Sequence, residues 1–225
     1  MSIVGQKFQD SPESARVVPM LVFGGLTALQ GRLGNGSEYW VYLLKTLVGA
    51  WLIWKLRPRL EEMRWKFSWE ALAVGVVVFA LWVGLDGHYP RLARLPAGAG
   101  WNPRGQFGQG SAAAWLCIVM RIAGSTLVVP PIEEVFYRSF LYRYLVSARF
   151  QAMPFNQFHA LSFTVTCAAF GLAHPERWVA GILCGVAYQG LVLYKNRLGD
   201  AMTAHATTNF LLGLWIVWTG QWHYW

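Results

Sequence analysis

"PPIEEVFYRSF", residues 130 to 140, joins two strongly apolar stretches, "AAAWLCIVM" at 112 to 120 and "LYRYLV" at 141 to 146. Two adjacent carboxylates in such company call for a physical reason. Pro130 and Pro131 lack backbone N–H donors and disfavour helix in the residues before them. The expectation is a helix break, with a new helix starting near Pro131. Irregular backbone at membrane depth is tolerated where it lines a cavity. Glu133 and Glu134 would then sit in the first turn of the new helix, where the dipole favours negative charge. Glu134 and Arg138 are four residues apart, so they share a face and can pair. Glu133 projects about 100° away around the helix. The two carboxylates are therefore expected to do different work, one neutralised by arginine and the other free to take a proton. A solvated charge pair at a helix start is the bland alternative, and the apolar flanks argue against it.

The flanks are typical of the chain. Hydrophobic residues make up 55% of 225 and charged residues 13%, about half the share usual in globular domains. Mean hydropathy is +0.34. Thirteen tryptophans, nine tyrosines and thirteen phenylalanines suit membrane–water interfaces, where amphipathic rings collect. The expected class is an all-α polytopic membrane protein in contact with the lipid bilayer. The net charge of +8 does not mark a nucleic-acid partner, because the basic residues fall between apolar segments rather than on one polar face. Five of the nineteen lie in "KLRPRLEEMRWK", residues 55 to 66, and a short loop so basic is normally retained in the cytoplasm. Cys117, Cys167 and Cys184 lie inside apolar segments and read as small buried hydrophobes, not a disulfide framework. The first sixteen residues show no apolar core of a signal peptide, so insertion is expected to rely on internal segments.

A helix needs about 20 apolar residues to cross the hydrocarbon core. Candidate spans run from Val17 to Leu33, Tyr39 to Leu56, Trp69 to Leu85 and Ser111 to Val129. The opening stretch continues as helix to Ser147. Phe158 to His174, Trp178 to Tyr194 and Ala201 to Trp218 complete about eight transmembrane helices around an intramembrane polar cavity. "DGHYPRLARLPAGAGWNPRGQFGQG", residues 86 to 110, is the longest break and the best linker. It divides an N-terminal part, 1–110, which carries no motif, from a helical core, 111–225, within one integral membrane domain. The closing "QWHYW" reads as an interfacial anchor.

Ionisable groups at membrane depth are costly and are functional candidates by default. In "FGLAH", Phe170 and His174 share a helix face; a lone histidine there is more often a core hydrogen-bonder than a catalyst. In "HATTN", His205 and Asn209 share a face and can present two donors to one developing oxyanion. Polar glue between helices explains that pair equally well. Lys45 and Arg121 read as structural, snorkelling or paired. His159, Tyr188, Gln189 and Asp200 read as packing residues. Two histidines and a carboxylate from separate helices suggest hydrolysis, with glutamate activating water. The same residues, Glu133, His174 and His205, could hold zinc or another divalent metal. No HExxH is present.

"EEVFYR", "FGLAH" and "HATTN" resemble, in that order, the EExxxR, FxxxH and HxxxN motifs of the CPBP intramembrane protease superfamily, which includes the type II CAAX prenyl endopeptidases. The resemblance covers residues 133 to 209. "EEVFYRSFLYRYL" and "TGQWHYW" are most similar to bacterial CAAX protease-related proteins associated with exosortase and PEP-CTERM sorting systems. The resemblance implies an eight-helix fold in a bacterial inner (cytoplasmic) membrane and an endopeptidase acting on a membrane-associated peptide or protein. It implies Glu133 as general base, His174 holding the water, and His205 with Asn209 as the oxyanion site. Glu134, Arg138 and Phe170 would shape that site. The superfamily is described both as metal-dependent and as a glutamate protease without metal; an unpaired Glu133, and His205 with Asn209 as donors rather than ligands, favour the form with no tightly bound metal. "HPER", residues 174 to 177, is the only break in that region and leaves little room for a prenyl-peptide groove. Two other classes fit the polar residues: a non-enzymatic scaffold or immunity protein, and a small transporter with a glutamate proton relay. The inverted internal symmetry common in transporters is not visible in the sequence.

Overall fold

The protein is described by a computed structural model covering residues 11–93 and 101–225. The middle of the expected linker, 94–100, and the first ten residues lie outside the described residues. The described residues are all-helical. Eight helices follow in order: α1 Pro12–Leu29, α2 Ser37–Leu56, α3 Trp69–Gly84, α4 Pro103–Phe107, α5 Ala112–Tyr144, α6 Ala160–Leu172, α7 Trp178–Lys195 and α8 Gly199–Thr219. Helices α5 and α7 are long and apolar enough to cross a membrane by length and composition. Shorter apolar helices are α3 and α6. Helix α4 has five residues, about 8 Å at 1.5 Å per residue, and is too short to cross.

Local sequence sets the ends. Ser11, Ser68 and Ser111 cap α1, α3 and α5, each side-chain oxygen accepting an N–H three residues on, which satisfies one of the orphan donors of a helix start. Gly220 closes α8 in the left-handed conformation at φ 70°, where glycine carries no Cβ penalty.

Helix α5 corrects the expected break. The chain runs as one helix from Ala112 to Tyr144, straight through Pro130 and Pro131. Two π-helical turns, Gly124–Val128 and Val135–Leu141, flank the proline segment Val129–Glu134. A π turn shifts each hydrogen bond to the fifth residue on. The Val129 N–H bonds the Gly124 carbonyl, so the widened turn absorbs the donors that the prolines lack. The glutamates therefore sit in mid-helix, and the dipole argument for them does not apply. The expected fourth and fifth spans are one element.

Helices α6 and α7 cross backbone to backbone. A Cβ on Gly181 would lie 2.9 Å from the Cα of Gly171, and one on Gly185 would lie 3.0 Å from the Cα of Cys167. Close approach through small residues is the usual packing device where lipid removes any hydrophobic drive between helices. Helix α3 meets α8 in the same way: a Cβ on Gly75 would lie 2.6 Å from the Ala204 carbonyl. Val78, Tyr137, Phe170, Tyr188, Met202 and Ala204 form the centre of the core where α3, α5, α6, α7 and α8 meet. Helices α1 and α2 pack on each other and on α5. The outer faces stay apolar: Leu47, Val119 and Leu127 are well over half exposed, as a lipid-facing surface requires.

The long helices alternate in direction. One end of the bundle gathers the start of α1, the loop after α2 and the end of α5. There Arg16 pairs with Glu62 at 2.7 Å, and Ser139 donates to the same carboxylate. At that end Lys195 pairs with Glu70, and Ser68 donates to Asp200. Arg57, Arg59, Arg64, Lys66, Arg149 and Arg197 occupy the same end. The opposite end holds Asp86, Arg91, Arg177 and the C-terminal segment, joined by Asp86–Arg91 at 3.1 Å and the Trp178 indole N–H on the Pro90 carbonyl.

Candidate active site

Helix α5 carries Glu133, Glu134 and Arg138 inward, facing α6 and α8. Glu134 and Arg138 are fully buried. The Arg138 Nε lies 3.2 Å from Glu134 Oε2, the i,i+4 pair expected from spacing. Glu134 has a second partner that spacing did not foretell: His205 Nδ1 donates to Glu134 Oε1 at 2.9 Å. That contact joins α5 to α8 and fixes the ring, so His205 Nε2 is the nitrogen left for the cavity. Tyr188 stacks on the His205 ring with centroids 5.2 Å apart, and its hydroxyl donates to Thr208 at 2.8 Å. The sequence reads Tyr188 as a packing or interface residue; its ring lies stacked against that of the histidine.

Phe170 sits between the polar groups. The Arg138 guanidinium lies 4.4 Å above its ring, a cation–π contact at desolvated depth. His174 and His205 approach the same ring at 5.1 and 6.0 Å. His174 Nδ1 is 2.9 Å from the Phe170 carbonyl. A carbonyl only accepts, so Nδ1 carries the proton and a neutral His174 offers Nε2 as an acceptor. Trp82 meets the His174 ring edge-on at 5.4 Å. Asn209 donates its side-chain amide to the Ser125 carbonyl at 2.8 Å, which leaves one amide hydrogen and the carbonyl oxygen for other partners.

These groups enclose a cavity of about 80 Å³ lined by Glu133, His174, His205, Asn209, Trp82, Phe170, Cys184, Tyr188 and Thr208, with Val129 and Leu212. The space holds a few water molecules. Glu133 is the carboxylate on its wall. It is half-buried, and its Oε2 is a buried oxygen with no hydrogen-bond partner among the described residues. Glu134 faces away, into its contacts with Arg138 and His205. Glu133, His174 and His205 thus line one space, yet no three His, Cys, Asp or Glu side chains among the described residues form a metal-holding group.

Several wall residues gave no functional signal in the sequence. Trp82, Cys184 and Thr208 look like ordinary apolar or small residues of helices α3, α7 and α8. Only the three-dimensional crossing at Gly75, Gly181 and Gly185 brings them to the histidines.

Fold and site together show an all-helical protein, two of its helices long and apolar enough to cross a membrane, with a half-buried carboxylate, two histidines and an asparagine around one small cavity. The family model for type II CAAX prenyl endopeptidase Rce1-like proteins matches residues 113–211. That stretch contains every motif residue named above, and the match supports the CPBP superfamily and points to a CAAX-type membrane protease. No curated protein and no solved structure gives a significant match.

Proposed function

We propose that the protein is an intramembrane endopeptidase in which Glu133 activates water to hydrolyse a peptide bond of a membrane-associated substrate. The observation that carries this reading is the free carboxylate of Glu133, facing the same cavity as two orientation-locked histidines and an asparagine. Glu133 takes a proton from water while the water oxygen adds to the scissile carbonyl. His174 Nε2 accepts a hydrogen bond from the second water proton and orients the attack. Held by Glu134 through Nδ1, the His205 ring turns its Nε2 edge to the developing oxyanion. The spare amide hydrogen of Asn209 is a donor to it. Collapse of the tetrahedral intermediate breaks the C–N bond, and Glu133 returns its proton to the leaving amine. No step requires a cofactor from outside the chain.

Helices α5 and α7 are read as spanning the membrane, with the other helices of the bundle packed around them. The end bearing Arg57, Arg59, Arg64, Lys66, Arg149 and Arg197 then faces the cytoplasm by the distribution of basic residues, and the cavity opens toward the other face. A bacterial inner membrane and a sorting system of the exosortase/PEP-CTERM kind are the setting that the sequence resemblance supports.

The test is turnover of a fluorogenic peptide by purified protein in detergent. Glu133→Gln should lower kcat by about 10²–10⁴, the range for a general base, with the melting temperature unchanged. Hydrolysis in ¹⁸O-water should place one label in the new carboxyl group. Normal turnover by Glu133→Gln would remove the general base and the reading with it.

A further inference from the structure

The small cavity widens outward into a vestibule of about 480 Å³, which shares Glu133, His174 and Asn209 with it. Two cations stand on the vestibule wall, Lys45 from α2 and Arg121 from α5. Lys45 is 5% exposed. Its ammonium donates to the Thr27 hydroxyl at 2.9 Å and lies 4.7 Å from the Tyr42 ring centroid. The Arg121 guanidinium lies 4.3 Å from the centroid of the same ring and 4.9 Å from that of Trp101, with Trp225 at 5.8 Å. Both charges therefore rest against one aromatic ring.

No ion pair among the described residues includes either cation. The buried arginines are different: Arg16 has Glu62 at 2.7 Å, Arg138 has Glu134 at 3.2 Å, Arg143 has the same Glu62 at 3.9 Å and Arg177 has Asp86 at 3.6 Å. Two like charges repel in a low dielectric, and cation–π contacts offset only part of that cost. The carboxylate on the shared wall is Glu133, which a general base must keep free. Besides Glu133, no Asp or Glu side chain among the described residues lines the vestibule, beside the place where a substrate would be cut. Arginine's planar fork matches a carboxylate with two parallel hydrogen bonds, and lysine adds a movable point charge.

We infer that Lys45 and Arg121 form a subsite for a carboxylate of the peptide substrate, next to the scissile bond. The carboxylate comes from a chain terminus or from an Asp or Glu side chain. This deepens the proposed endopeptidase reading and rests on it for the word substrate. It goes beyond that reading by stating which peptides are preferred.

The experiment uses three matched peptides: one ending in a free carboxylate, one amidated at that end, and one amidated with a glutamate at the same position. Binding to the Glu133→Gln protein is read by quenching of tryptophan fluorescence, and kcat/KM is read with the wild type. Either carboxylate peptide should be preferred over the neutral amide by at least about tenfold, the lower end for one charge-assisted contact. The peptide that shows the preference identifies the source. Arg121→Gln should bring the three peptides together, and Arg121→Lys should keep part of the preference. Equal binding of the three peptides by Glu133→Gln protein overturns the subsite. Turnover by that same variant would overturn the general base instead, so the two failures are distinguishable. The wild-type comparison needs no vestibule variant to fold.

Discussion

Asn209 donates to the Ser125 carbonyl at 2.8 Å, and Pro130 is the reason that carbonyl is available. In the π register set by the Gly124–Val129 bond, Ser125 would pair with the N–H of residue 130. Proline has none. The free carbonyl is taken by Asn209 of helix α8, which fixes the asparagine beside the cavity. The two features singled out separately in the sequence, the proline pair and "HATTN", are one device.

Pro130→Ala therefore restores a competing donor. The expected result is a protein as stable as the wild type or more so, by up to about 3 kcal/mol as a helix-interior proline is removed, yet roughly tenfold slower. Asn209→Ala should cost more, about 10²–10³ in kcat as one oxyanion donor is lost. Thermal melts and peptide turnover on the same samples check this. Full activity in Pro130→Ala would break the link between the prolines and the site.

The two adjacent glutamates should fail in different ways. Glu134→Gln leaves the fully buried Arg138 without its carboxylate, and stranding a buried charge costs about 3–5 kcal/mol. Adding Arg138→Met should recover much of the stability, because both charges are then gone, without recovering turnover. Glu133→Gln should melt like the wild type. Differential scanning of the four proteins separates the roles; equal melting temperatures for Glu133→Gln and Glu134→Gln would contradict the assignment.

Some of this was legible beforehand. The i,i+4 spacing of Glu134 and Arg138 fixed their pairing, and the apolar periods located α2, α3 and α7 to within a residue or two. The helix break was misread because proline rules count missing donors in the α register, and a π turn changes that register. Lys45 and Arg121 were read as structural because their lack of a carboxylate partner is a three-dimensional fact. The role of Tyr188 had no signal: one tyrosine in an apolar helix looks like any other until His205 lies against it.

The C-terminal segment should respond to acid. Burial raises the Asp86 carboxyl, but Arg177, the Tyr224 hydroxyl, Arg91 and His223 together outweigh it and hold it below its ordinary value of 3.8. A depressed folded value means the contribution is fully present above pH 3.8 and is lost as pH falls through the folded value. Asp86→Asn should destabilise the protein by about 1 kcal/mol at neutral pH. The gap between variant and wild type should close as pH drops below about 3.8. A gap independent of pH would assign the effect to packing.

The proposed topology is tested by labelling. On a background with Cys117, Cys167 and Cys184 replaced by alanine or serine, single cysteines at Gln106 and Arg149 place thiols at opposite ends of the bundle. Gln106 lies in α4 beside the Arg104 that contacts the Val217 carbonyl near the end of α8, at the vestibule end. Arg149 lies among the basic residues after α5. A membrane-impermeant maleimide should label the Gln106 position in intact cells or spheroplasts and the Arg149 position only in inverted vesicles, because the basic end is retained in the cytoplasm. The reverse pattern would turn the protein over and open the vestibule to the cytoplasm. Substrates would then have to arrive from the side where proteins are made, and the carboxylate subsite would face a different pool of peptides.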